Sequence, residues 1–129
     1  MRSMRARMHH IVLDCADADE LAEFYSALLG YPVTYRSPDW VVVAENDHSS
    51  GIAFQPIEHY LPPMWPSGSP GQQLHLDLMV DDLTAADEWV VSLGARRLPN
   101  DGEFHEVYAD PAGHPFCLIT KPGWAPKVG

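Results

Sequence analysis

The chain has 129 residues, enough for one domain or one domain built from two halves, and its hydrophobic content of 46% is that of an ordinary globular protein. Its formal net charge is −10, and between residues 8 and 120 the only Lys or Arg side chains are Arg36, Arg96 and Arg97; such a surface repels phosphate backbones and argues against a nucleic-acid partner. No apolar run approaches the ~20 residues that cross a bilayer, so no membrane partner is expected, and two cysteines, Cys15 and Cys117, are too few for a disulfide framework and read as reduced fillers in a cytoplasmic protein.

The first eight residues, MRSMRARM, are basic, but no long apolar stretch follows, so they read as a loose leader and not a secretory signal. Residues 9–15 alternate apolar and polar and predict a strand, with His10, Val12 and Asp14 on one face and His9, Ile11, Leu13 and Cys15 on the other. Asp17 or Asp19 then caps a helix to about Leu29, whose apolar stripe is Leu21, Phe24, Tyr25 and Leu28 and whose stop is Gly30. Three short strands are expected at 33–36, 40–45 and 51–56, separated by the turn formers Ser37-Pro38-Asp39 and Asn46 to Ser50. Residues 56–72 are rich in proline and lack periodicity, which marks a crossover segment. Its Tyr60, Met64 and Trp65 either pack it down or line a ligand mouth or subunit contact.

The order then repeats. Residues 73–80 predict a strand with His75, Asp77 and Met79 on one face. Asp82 or Thr84 opens a helix to Leu93, stopped by Gly94. A short strand at 95–98, a turn at Asn100-Asp101-Gly102, and a hairpin of 104–109 with 114–120 follow, and the tail 121–129 reads as fraying. His10 and His75 lie 65 positions apart, as do Phe24 and Trp89, so HIVLDCADADELAEFYSALLG and HLDLMVDDLTAADEWVVSLGA are two copies of one strand–helix unit. The acids Asp17, Asp19, Glu20 and Glu23, and Asp81, Asp82, Asp87 and Glu88, fall at the starts of the two helices, where carboxylates suit the dipole; they form a solvated face or a field that draws a cationic ligand.

Two βαβββ modules, opening on HIVLDCADADELAEFYSALLGYPV and HLDLMVDDL and closing on IAFQP and ADPAGHPFCLI, resemble the vicinal oxygen chelate superfamily, which includes glyoxalase I, extradiol dioxygenases, fosfomycin-resistance enzymes and bleomycin-binding proteins. The nearest likeness is to small bacterial glyoxalase-like domain proteins, over residues 8–120. The resemblance implies an α+β fold with cupped mixed sheets, with module one at about 8–57 and module two at about 73–120. It implies a homodimer, and in metal-dependent relatives one divalent ion held by the first and last strands of each module. The matching positions here are His10 and His75, with Ala53 and Cys117 where carboxylates are usual.

Half of that tetrad is missing. Two imidazoles alone make a weak site, because stable sites take three or four ligands. Gln55, two residues beyond Ala53, offers a poor third ligand, and Cys117 a soft one suited to zinc; the directions of His59, His105 and Glu106 stay open. The expectation is no tightly bound metal, with zinc, nickel, iron or manganese the alternatives. The pocket candidates are His10, Val12, Gln55, Tyr60, Trp65, His75, Asp77 and Cys117. Asp77 is either an orienting partner or a general base with a raised pKa. Three functions are compatible with this set: a small-molecule-binding domain of unresolved chemistry, a divalent-metal lyase, isomerase or dioxygenase using His10 and His75, or a metal-free sequestering protein of the bleomycin-resistance type.

Overall fold

The computed structural model describes residues 4–100 and 105–129. Asp101, Gly102 and Phe104, which the sequence places in a turn and at the start of a strand, lie outside the described residues. The chain divides into two compact units, Met1–Tyr60 and Leu61–Gly129.

The first unit runs β1 (His10–Cys15), α1 (Ala18–Leu29), β2 (Val33–Ser37), β3 (Trp40–Val43) and β4 (Gly51–Pro56). Its sheet has the order β1-β4-β3-β2, with β1 parallel to β4 and the other pairs antiparallel. A parallel pair needs a long crossover, and α1 with the β2–β3 hairpin supplies it. Strand alternation splits the sheet into two faces. Leu13, Val41 and Phe54 are in register and buried, and Tyr25 of α1 stacks on Phe54 with ring centroids 5.6 Å apart, which identifies the helix side. Val12, Ala53 and Val42 form the adjacent row on the opposite side. There Val42, Ala44 and Ala53 form a small buried cluster with Trp40 against it. A bulge between Val33 and Tyr35 sets Tyr35 opposite Val42, so its ring joins this second face.

Local chemistry fixes the ends of α1. The Asp17 carboxylate accepts from the Glu20 amide at 3.0 Å, and Gly30 takes the left-handed φ of 70° that terminates the helix. Arg36, on the helix side of β2, ties the sheet to α1 through Asp19 and Glu23.

The second unit repeats the plan: β5 (Leu76–Val80), α2 (Leu83–Leu93), β6 (Arg96–Arg97), β7 (His105–Ala109) and β8 (Pro115–Thr120), in the order β5-β8-β7-β6 with β5 parallel to β8. Asp82 caps α2 by accepting from the Ala85 amide at 3.1 Å, and Gly94 ends it at φ 119°. On the α2 side, Tyr108 stacks on Phe116 at 5.4 Å and its hydroxyl donates to Asp87 at 2.8 Å, while Arg97 binds the same carboxylate. The β7–β8 turn closes on Asp110, which is buried and accepts from the amides of Ala112 and His114 at 2.9 and 3.0 Å.

Several expected boundaries move. Strand β5 begins at Leu76, not at residue 73, so His75 lies just before it. The next pair in this register would set His75 opposite Pro115, which has no N–H to extend the ladder. Strand β1 starts at His10 and β3 stops at Val43. The acids of the second copy serve the start of the helix only in part: Asp82 is its cap, but α2 has no acidic residue in its first turn, and Asp87 is committed to Arg97 and Tyr108. The tail, expected to fray, buries Ala125 and donates the Val128 and Gly129 amides to Asp81 at 2.9 and 3.0 Å.

Candidate functional site

Within the first unit, the face away from α1 collects His10 and Val12 from β1, Ala53 and Gln55 from β4, Trp40 and Val42 from β3, and Tyr35 from β2. Three expected site residues, His10, Val12 and Gln55, therefore share one face, as strand parity requires. At its His10 end lies a cleft of about 690 Å³. The segment before β1 contributes Arg7, Met8 and His9 to it, the sheet contributes His10, Thr34, Tyr35, Trp40 and Val42, and the β3–β4 loop contributes residues 47–50.

His10 is held by a specific bond. The Gly51 amide donates to its Nδ1 at 3.0 Å, and the rings of His9 and His10 lie 3.9 Å apart at 35°. Burial, then the neighbouring His9, pushes the His10 pKa below its ordinary value and favours the neutral ring. A neutral imidazole whose Nδ1 accepts must carry its proton on Nε2. His10 therefore has an N–H donor on its free nitrogen, where a metal ligand would need a lone pair. Gly51 has to be glycine for this arrangement, since a Cβ there would meet the Val43 carbonyl oxygen at 2.1 Å.

Within the second unit, Asp77, Cys117 and Val107 form one row, and His105 shares their face, whereas Glu106 pairs with Leu118 on the α2 side. This fixes two of the three directions left open by the sequence; the third residue, His59, is exposed in the turn after β4. Cys117 is buried, and burial, then Asp77, raises its thiol pKa, so it is the protonated thiol that faces Asp77. His75 is exposed before β5, edge-on to Trp65 with centroids 6.3 Å apart, and the Trp65 indole N–H is held by the Pro99 carbonyl at 2.9 Å. Trp65 is thus a packed residue of its own unit. Tyr60 is half-buried beyond β4. The sequence reading passed over Arg7, Tyr35, Trp40 and His48, and put His9 on the opposite strand face; His9 precedes β1 and lines the cleft beside His10. The His-His doublet was the one available signal.

These residues do not fit the four-ligand metal site of the resembled superfamily. Ala53 offers a methyl group, Cys117 is a buried thiol in place of the usual carboxylate, and the Nδ1 lone pair of His10 is taken. Among the described residues no group of three or more His, Cys, Asp or Glu side chains comes together to hold an ion.

A family model described as a glyoxalase-like domain matches residues 10–119. The chain belongs to that family. No curated protein matches the sequence. Among solved structures, a glyoxalase/bleomycin resistance protein/dioxygenase family enzyme from Burkholderia phytofirmans PsJN is similar at 20% identity and TM-score 0.67, over 89% of this chain and 98% of that one. The antibiotic-binding protein TnmS3 from Streptomyces sp. CB03234 is similar at 17% identity and TM-score 0.61, over 94% and 100%. The fosfomycin resistance protein FosX of Listeria monocytogenes, in complex with Mn(II) and 1S,2S-dihydroxypropylphosphonic acid, is similar at 13% identity and TM-score 0.68, over 93% and 94%. At these identities the likeness is one of fold, and this glyoxalase-like fold carries several chemistries. Among the described residues, no helix is long and apolar enough to cross a membrane.

Proposed function

We propose that this glyoxalase-like domain binds a small molecule on the open face of its first sheet, in the cleft at His10, through hydrogen bonds and apolar contact and without a tightly bound metal. The observation that carries this reading is the Gly51 amide bonded to Nδ1 of His10. That bond leaves His10 as a donor, and a donor recognises an acceptor atom of a ligand, not a cation. Trp40, Val42 and Tyr35 supply the apolar wall, and Val12 and Gln55 continue the same face. A concave site with a few directed polar groups on an apolar floor is the usual form of a small-molecule pocket.

The alternative is a divalent-metal lyase, isomerase or dioxygenase, favoured by the imidazoles at the start of β1, His10, and just before β5, His75. Elemental analysis of protein purified without a histidine tag separates the two. The expected result is no stoichiometric zinc, nickel, iron or manganese after dialysis. Stoichiometric metal that survives dialysis and disappears in a His10→Ala, His75→Ala double variant would overturn the metal-free reading.

A further inference from the structure

The cleft does not share the strongly acidic balance of the chain as a whole. In the first unit the carboxylates of α1 lie on the helix side of the sheet: Asp17 caps the helix, and Asp19 and Glu23 are paired with Arg36. The cleft opens on the opposite face. Its lining carries one cation, Arg7, and one carboxylate, Asp47, and three of the seven histidines, His9, His10 and His48, bring imidazole groups to it. Arg7 is always charged, and a histidine donates an N–H in either protonation state. The Ser49 and Ser50 hydroxyls donate to Asn46 Oδ1 and the Met8 carbonyl at 3.0 and 2.8 Å, which leaves the rim's donors to Arg7 and the histidines, and the floor beneath is Trp40 and Val42.

We infer that this cleft selects a ligand that joins a flat apolar body to an anionic group, the anion meeting Arg7, His9 and His48 at the rim and the apolar body lying on Trp40. This names the ligand class for the site proposed above and rests on that reading. It also sets the charge preference opposite to the one the bulk composition suggests. A cationic ligand finds one carboxylate, Asp47, and meets Arg7, whereas an anion finds Arg7 and imidazole N–H donors from both the segment before β1 and the β3–β4 loop.

Two dyes with one skeleton test it. 1-Anilinonaphthalene-8-sulfonate carries an anion, and N-phenyl-1-naphthylamine is the same ring system without it. Fluorescence titration of the full chain is expected to give about tenfold tighter binding of the sulfonate, since each charge-assisted hydrogen bond contributes on that scale. An Arg7→Gln, His48→Gln double variant, changed only at exposed positions, is expected to bring the two dyes within about twofold of each other by weakening the sulfonate. Equal affinities in the parent, or a preference that survives the double variant, would defeat the anion assignment and leave the small-molecule site standing. If neither dye binds, or if Trp40→Ala leaves the binding of both dyes unaltered with the circular dichroism spectrum intact, the cleft is not the binding site and both readings fall.

Discussion

The Gly51 amide donates into Nδ1 of His10, and the pKa of that ring is lowered by burial and by His9. The sign of the pH effect follows from this direction. The unfolded chain protonates His10 near pH ~6.5 and the fold resists doing so, so the unfolded state binds more protons in that range. The contribution of His10 to stability is fully present above its unfolded pKa and is lost as pH falls through its lower folded pKa. Urea midpoints measured from pH 7.5 down to 5 are therefore expected to fall more steeply for the parent than for His10→Gln; parallel curves would mean that the imidazole is not held neutral. Gly51 supports the same bond. Gly51→Ala drives a methyl group into the Val43 carbonyl and is expected to cost about 1–3 kcal/mol in urea unfolding, the usual penalty for overpacking. A change below about 0.5 kcal/mol, the range of an indifferent surface substitution, would show that the strand ends separate easily.

At the scale of elements, both helices start in the same way. Asp17 and Asp82 each accept from the amide three residues on, and Gly30 and Gly94 each close in a left-handed conformation. Asp17→Ala and Asp82→Ala are each expected to lose about 1 kcal/mol, with the Gly variants losing less, because glycine keeps the extended cap conformation accessible to water. The β7–β8 turn is more demanding. Asp110 is buried and satisfies two amides, so Asp110→Ala strands two N–H groups and is expected to cost about 2 kcal/mol or more. Thermal unfolding of the three alanine variants side by side checks the ranking, and Asp110→Ala ranking below the caps would contradict it.

For the whole molecule, each unit is a four-stranded sheet with two outer strands, β1 and β2 in one and β5 and β6 in the other. Strand β1 also exposes Ile11 and Val12, at 37% and 40%. Unpaired edges with apolar side chains favour association with another copy. Sedimentation velocity at micromolar concentration is expected to show a species of twice the 14.4 kDa chain mass. A boundary at the single-chain mass across that range would remove the homodimer.

The duplicated strand–helix phrase, the capping aspartates, the glycine stops and the period-two alternation of residues 10–15 and 51–56 are local signals, and they led directly to two βαβββ units of the glyoxalase-like fold. Local sequence also set His10 with Val12, and Gln55 with Ala53, because side-chain direction in a strand depends only on parity, while the family resemblance was what brought the two strands' residues to one face. The start of β5 was not legible, since it depends on a proline in β8, 39 residues beyond Leu76. Nor was the composition of the cleft, where Arg7, His9 and His48 come from segments without regular structure and meet Trp40 only through the pairing of strands. Parity cannot state what a side chain meets. The Gly51 amide lies 41 residues from His10, and it takes the folded sheet to turn a suspected metal ligand into a hydrogen-bond donor.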